Sequence, residues 1–165
     1  MRDGNLGGKL VMQKTFYFLK EMGVKVPFNF RWAQMGPYSF ELANVMERTS
    51  SRGYAPYTGE YQYIGNNFRN IPELNVSNSI GLFFKQMDKF AKKQGLNQIF
   101  FYETAASLHF LYKYNNLHKS DDAFARLRAL KANRMDLLEP SLEPAWHFLA
   151  KKKLIDDEMA AEELF

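Results

Sequence analysis

The apolar residues of this chain recur with a helical period over most of its length. From Lys9, the residues Val11, Thr15, Phe18 and Met22 repeat at spacings of four, three and four, with Leu10 and Tyr17 widening the stripe. This predicts a helix over 9–22, stopped by Gly23, where a left-handed backbone costs a glycine nothing. Residues 1–8 are polar, hold three glycines and read as a loose arm. Phe28, Phe30, Trp32 and Gln34 alternate with Asn29, Arg31 and Ala33, a period of two that predicts a short extended segment over 28–35. Gly36-Pro37 reads as the break that ends it. Ser39 is placed to cap a helix over 40–50 with Leu42, Val45, Met46 and Thr49 on one face.

Residues 51–77 show no period. Tyr54, Tyr57, Tyr61, Tyr63 and Phe68 are punctuated there by glycine, asparagine and proline, giving a long aromatic loop. The clearest helix follows, with Ile80, Phe83, Phe84, Met87, Phe90 and Ala91 on its apolar face and Ser77 or Asn78 as cap. Lys85, Lys89, Lys92 and Lys93 supply its polar side, and Gly95 ends it. Asn97 caps a helix over about 98–115 that is apolar nearly all round and therefore belongs at the centre of the fold. Ser120, Asp121 and Asp122 open a further helix reaching Arg134, with Ala123, Leu127 and Leu130 inward. A last helix starts at Ser141 or Glu143, with Pro144 tolerated in its first turn, and residues 156–165 form an acidic tail. The pattern thus predicts a mainly α fold: a compact bundle of about six helices, a short extended segment near 28–35 and a long aromatic loop, in one domain over 9–155.

Composition narrows the chemistry. The 165 residues are 46% hydrophobic and 16% aromatic, enough to build a real core. With no cysteine, the chain has no disulfide, zinc–thiolate site, iron–sulfur cluster or thiol nucleophile. The net charge of +4 is mild, but it is unevenly spread. Residues 81–134 hold ten basic and four acidic side chains, whereas residues 135–165 hold three basic and eight acidic. The longest apolar stretch, Ile99–Tyr114, is interrupted by Glu103, His109 and Lys113, so no membrane span is expected, and no secretory leader is visible. The cytoplasm is the expected location.

Few residues invite a catalytic reading. His109, His118 and His147 are widely separated and form no metal-binding spacing, and no metal, cofactor or catalytic residue is expected. The glycines at 4–8 lack the spacing of a phosphate loop, and Gln13 and Lys14 read as surface or boundary positions. Glu103, inside the most apolar helix, needs a partner, and Lys14, Arg31 or Lys113 are the expected ones. Glu103 and His109 are six apart, roughly 600° around a helix, so they do not make a dyad by themselves. Arg126, Arg128, Lys131 and Arg134 give a basic helix face that suits nucleic-acid phosphates or is simply solvated. Tyr54, Tyr57, Tyr61 and Tyr63 suit a protein contact surface or a satellite core under the loop.

Three stretches carry a resemblance: Lys9-Leu10-Val11-Met12-Gln13-Lys14, then Phe30-Arg31-Trp32-Ala33-Gln34-Met35-Gly36-Pro37-Tyr38-Ser39 with Glu41-Leu42-Ala43, and later Glu103-Thr104-Ala105-Ala106-Ser107-Leu108-His109-Phe110-Leu111. With the closing helix at 145–155, these resemble the YwgA-like proteins and, remotely, the Panacea (SocA-like) antitoxin domain. Met35 stands where the family's turn motif has a tyrosine. The resemblance implies a compact, mainly helical fold and a protein-binding, antitoxin-like or adaptor role. If the signature marks a site, it is Arg31, Tyr38, Glu103 and His109, although each also has an ordinary structural use. The leading expectation is a non-enzymatic module that binds a protein partner or a second copy of itself. The alternative is a nucleic-acid-binding regulator using the helix around residues 124–134.

Overall fold

The computed structural model describes residues 4–51 and 78–162. It is a mainly α-helical bundle with one short antiparallel hairpin, as the periodicity predicts. In chain order the elements are α1 (Gly4–Glu21), β1 (Arg31–Ala33), β2 (Gly36–Tyr38), α2 (Phe40–Ser51), α3 (Asn78–Lys93), α4 (Gln98–Tyr114), α5 (Ser120–Leu130), α6 (Met135–Leu138), α7 (Leu142–Lys151) and α8 (Glu158–Glu162). Single 3-10 turns at Ala132–Arg134 and Glu139–Ser141 flank α6. The aromatic loop, with Tyr54, Tyr57, Tyr61 and Tyr63, lies outside the described residues.

The all-round apolar helix is indeed central. Asn97 caps α4, its side chain accepting from Ile99 N (2.9 Å) and Phe100 N (3.3 Å), and every residue from Phe101 to His109 is buried. α1, α3, α7 and β2 all pack on it. Phe101, Phe83 and Phe148 meet there with Phe90 in tilted and edge-on ring contacts. Trp146 lies across Phe124 and Tyr112. A smaller cluster of Phe16, Leu19, Phe28, Leu42 and Met46 joins α1 to α2. No helix among the described residues is long and apolar enough to cross a membrane.

Several expectations are corrected. α1 begins at Gly4, within the stretch read as a loose arm. A Cβ on Gly7 would sit 2.5 Å from Ile99 Cδ1, so glycine here lets the start of α1 approach α4 closely. The acidic end is also tied down as far as α8: Asp157 accepts from Trp146 Nε1 (2.9 Å) and from Ala160 N (3.0 Å), and Ile155 and Ala160 are buried. The helix opened by Ser120 ends at Leu130 rather than running to Arg134. Its last residue, Leu130, is exposed, contrary to its inward assignment.

The correction at the hairpin matters most. Gly36-Pro37 does not end the extended segment; it forms the second strand of a hairpin, with Arg31 opposite Tyr38, Trp32 opposite Pro37 and Ala33 opposite Gly36. Proline has no N–H to give, so Trp32 and Pro37 can only be a non-hydrogen-bonded pair. That turns the Pro37 carbonyl away from β1 and leaves it needing a donor from elsewhere. Gly36 has φ +85°, and a Cβ there would lie 2.3 Å from Ser107 Oγ, so both backbone conformation and space require glycine.

Candidate functional site

A hairpin of three-residue strands has no independent stability. Here long polar side chains from α1 and from the residue just past α5 hold its backbone. From α1, Lys14 Nζ donates to Pro37 O (2.7 Å) and Lys20 Nζ to Phe28 O (2.7 Å). Gln13 bonds Ser39 in both directions, Nε2 to Ser39 O (2.9 Å) and Oε1 from Ser39 N (2.8 Å). Lys131, just past α5, donates to Gln34 O (2.9 Å) at the hairpin tip. Ser39 also caps α2 as the sequence predicts, its hydroxyl accepting from Leu42 N (3.2 Å) and donating to Glu41 (3.0 Å).

Beneath the hairpin lies a buried ionic cluster. Glu103, 0% exposed, accepts from Lys131 Nζ (2.7 Å) on Oε1, and Arg134 grips both oxygens through Nε (3.1 Å) and Nη2 (2.6 Å). Lys14, also 0% exposed, feels the charges of Glu103, Lys131 and Arg134. Two cations therefore share one carboxylate with Lys14 beside them, and burial together with these charges sets the protonation chemistry. Burial alone would raise the Glu103 pKa, but the Arg134 hydrogen bond and the Lys131 charge outweigh it and hold the carboxyl below its usual value. Burial together with the neighbouring Lys131 charge pulls Lys14 from 10.5 to about 7. Lys131 is lowered as well, by burial against the opposing pull of Glu103.

His109 belongs to a different cluster. Its Nδ1 shares a hydrogen bond with Tyr17 Oη (2.7 Å), and the ring also hydrogen-bonds the Leu154 backbone. Burial lowers its pKa from 6.5 to about 4, so the ring is neutral at pH 7 and serves packing between α1, α4 and the end of the chain.

The residues of the family-like signature are thus divided among separate bonding partners. Arg31 and Tyr38 face each other across the hairpin, Arg31 exposed and Tyr38 half-buried; Glu103 pairs with Lys131 and Arg134; His109 pairs with Tyr17. The expected partners of Glu103 are also reassigned, since Arg31 is exposed and Lys113 pairs with Glu21, and only Lys14 is a close electrostatic neighbour. The basic face expected at 126–134 is largely used internally. Lys131 and Arg134 hold Glu103, Arg128 pairs with Glu139 through Nε (3.1 Å to each oxygen), and Arg126 is exposed.

Sequence reasoning missed Gln13 and Lys14 as buried residues, although a signal was present. Leu10, Lys14 and Tyr17 fall at i, i+4 and i+7, which puts the lysine on the apolar stripe. Likewise Ala123, Leu127 and Lys131 continue one inward face at i, i+4 and i+8. No family model, curated protein or solved structure matches this chain.

Proposed function

We propose that the chain is a protein-interaction module, of the antitoxin-like or adaptor kind, that presents the corner where β2 meets α2. The observation that carries this reading is Phe40, 67% exposed at that corner and packed edge-on against Tyr38 at 5.2 Å. Arg31, on the neighbouring strand, and Val45, on the outward side of α2, are exposed as well. A large aromatic side chain on a fixed base is a favourable anchor, because little freedom is lost when it enters a partner's pocket. The base is fixed here by the hydrogen bonds to Gln34, Pro37 and Ser39. The complementary partner carries an apolar pocket for Phe40 with an acidic residue beside it for Arg31.

The test is affinity capture from nuclease-treated native lysate with the full chain, its Phe40→Ser variant and a Leu137→Ser control at another exposed apolar position. The expected result is one stoichiometric protein retained by the parent and the control and lost with Phe40→Ser. Identical protein sets with all three baits would overturn the reading.

A further inference from the structure

We propose that the outward face of α3 binds the phosphate backbone of nucleic acid without reading its sequence. This surface is separate from the β2–α2 corner, and the argument stands without that reading.

Lys85, Lys89, Lys92 and Lys93 are all exposed. At 3.6 residues per turn they fall within an arc of about 100° and span about 12 Å along the helix axis. The opposite arc, with Phe83, Met87 and Ala91, is buried in the core, so α3 has a fixed orientation and its lysines point outward together. The one acidic residue of α3, Asp88, is turned to α4, where it accepts from Gln98 (2.8 Å) and Tyr102 (2.6 Å). Among the described residues none of the four lysines has a carboxylate within salt-bridge reach, whereas Lys113, Arg128, Lys131 and Arg134 all do. Among the described residues the expected basic helix at 124–134 is thus largely neutralised, whereas the four lysines of α3 form a row of like charge with no ion pair.

The chemistry of the face selects its partner. Lysine is depleted in the cores of protein–protein interfaces, which favour aromatic residues, methionine and arginine, and the face carries only Leu82 as an exposed apolar side chain. A membrane partner would need the apolar side of the helix, which the core already occupies. Flexible ammonium groups in a row suit phosphate oxygens, and a row without amide or guanidinium side chains gives no bidentate base readout.

The test is fluorescence anisotropy with a labelled 20-base-pair DNA of arbitrary sequence and a labelled 20-nucleotide single-stranded RNA, titrated with full chain between 50 and 200 mM salt. With up to four phosphates engaged, log K against log salt has an expected slope near −3.6 on duplex, or about −2.8 on a single strand. The variant K85Q/K89Q/K92Q/K93Q should bind at least about tenfold more weakly at the lower salt. The charge-preserving K85R/K89R/K92R/K93R should bind like the parent, and R126Q, which removes an exposed charge elsewhere, should change binding less than twofold. Circular dichroism verifies that each variant is folded. Absence of binding by the parent at 50 mM salt, or equal binding by the glutamine variant, would overturn the proposal. Retention of a poly-glutamate peptide but neither nucleic acid would overturn it in favour of an acidic protein partner.

Discussion

Glu103 is the single anion in a buried group of cations, so its removal leaves charge that nothing offsets. Glu103→Gln should destabilise the fold by about 3–5 kcal/mol, the usual cost of breaking a buried ion pair from one side. Because excess positive charge is the cause, adding Lys14→Met to Glu103→Gln should cost less than the two single changes summed, as urea titration of the four proteins will show. Equal additivity would mean that Lys14 is not part of the cluster energetically. Gly36 makes a second sharp prediction. Gly36→Ala must strain a positive φ and displace Ser107, with an expected loss of about 1–3 kcal/mol. Ser107 Oγ is buried without a hydrogen-bond partner among the described residues, so Ser107→Ala alone should be neutral or stabilising. In the double variant it should restore the steric part of the loss and leave the backbone part. None of these residues declared itself by type alone. Lys14 and Lys131 look like surface lysines until their helical registers are followed onto the apolar stripes.

The elements differ in how plainly the sequence announced them. α3 and α4 were legible because a 3.6-residue apolar period and a good cap agree, and Asn97→Ala should accordingly cost about 1 kcal/mol. The hairpin was half legible. Its first strand showed a period of two, but Gly-Pro carries the local signature of a break, and only tertiary donors make it a strand. The halt of α5 at Leu130 was illegible for a related reason: Lys131 leaves helical geometry, at φ −126° and ψ 34°, while its amine reaches both Glu103 and Gln34. Long-range pairings of this kind leave no local pattern. Gln13 is the direct test of the hairpin's attachment. Gln13→Ala leaves the buried Ser39 amide without an acceptor, while the Ser39 carbonyl keeps its bond from Ala43 N (3.1 Å), so the expected cost is about 1–3 kcal/mol. In the parent, the Ser39 amide should exchange its hydrogen as slowly as amides of α4, and a loop-like rate would show that the hairpin opens independently.

At the scale of the whole molecule, the buried bases govern how stability varies with pH. Between about 7 and 10.5 the unfolded chain holds a proton on Lys14 that the folded chain does not, so stability rises with pH across that window. The slope approaches about 1.4 kcal/mol per pH unit for a full proton. His109 acts at the other end: its contribution is complete above pH 6.5 and lost as pH falls through about 4. Tyr17, whose pKa burial raises well above 10, opposes the rise only in stronger alkali. The maximum should therefore lie on the alkaline side of neutrality. Urea midpoints at pH 5, 7 and 9 will test this, and Lys14→Met should flatten the rise between 7 and 9. An unchanged rise in that variant would assign it to other groups.

The span of the ionic cluster also dictates when the fold can close during synthesis. The carboxylate at 103 is made well before its counter-ions at 131 and 134, and Lys131 also holds Gln34, 97 positions earlier. A nascent chain halted before residue 131 has no means of burying Glu103 as an anion, so α1, the hairpin and α4 must wait unlatched on the ribosome. Chains arrested with residue 125 outside the exit tunnel should be readily cut by protease within the hairpin, and those arrested with residue 155 outside should resist. Closure of the ionic cluster is thus tied to a four-residue step late in translation, with the α7 side of the core still to follow, and a truncated product would be exposed to degradation rather than left partly folded.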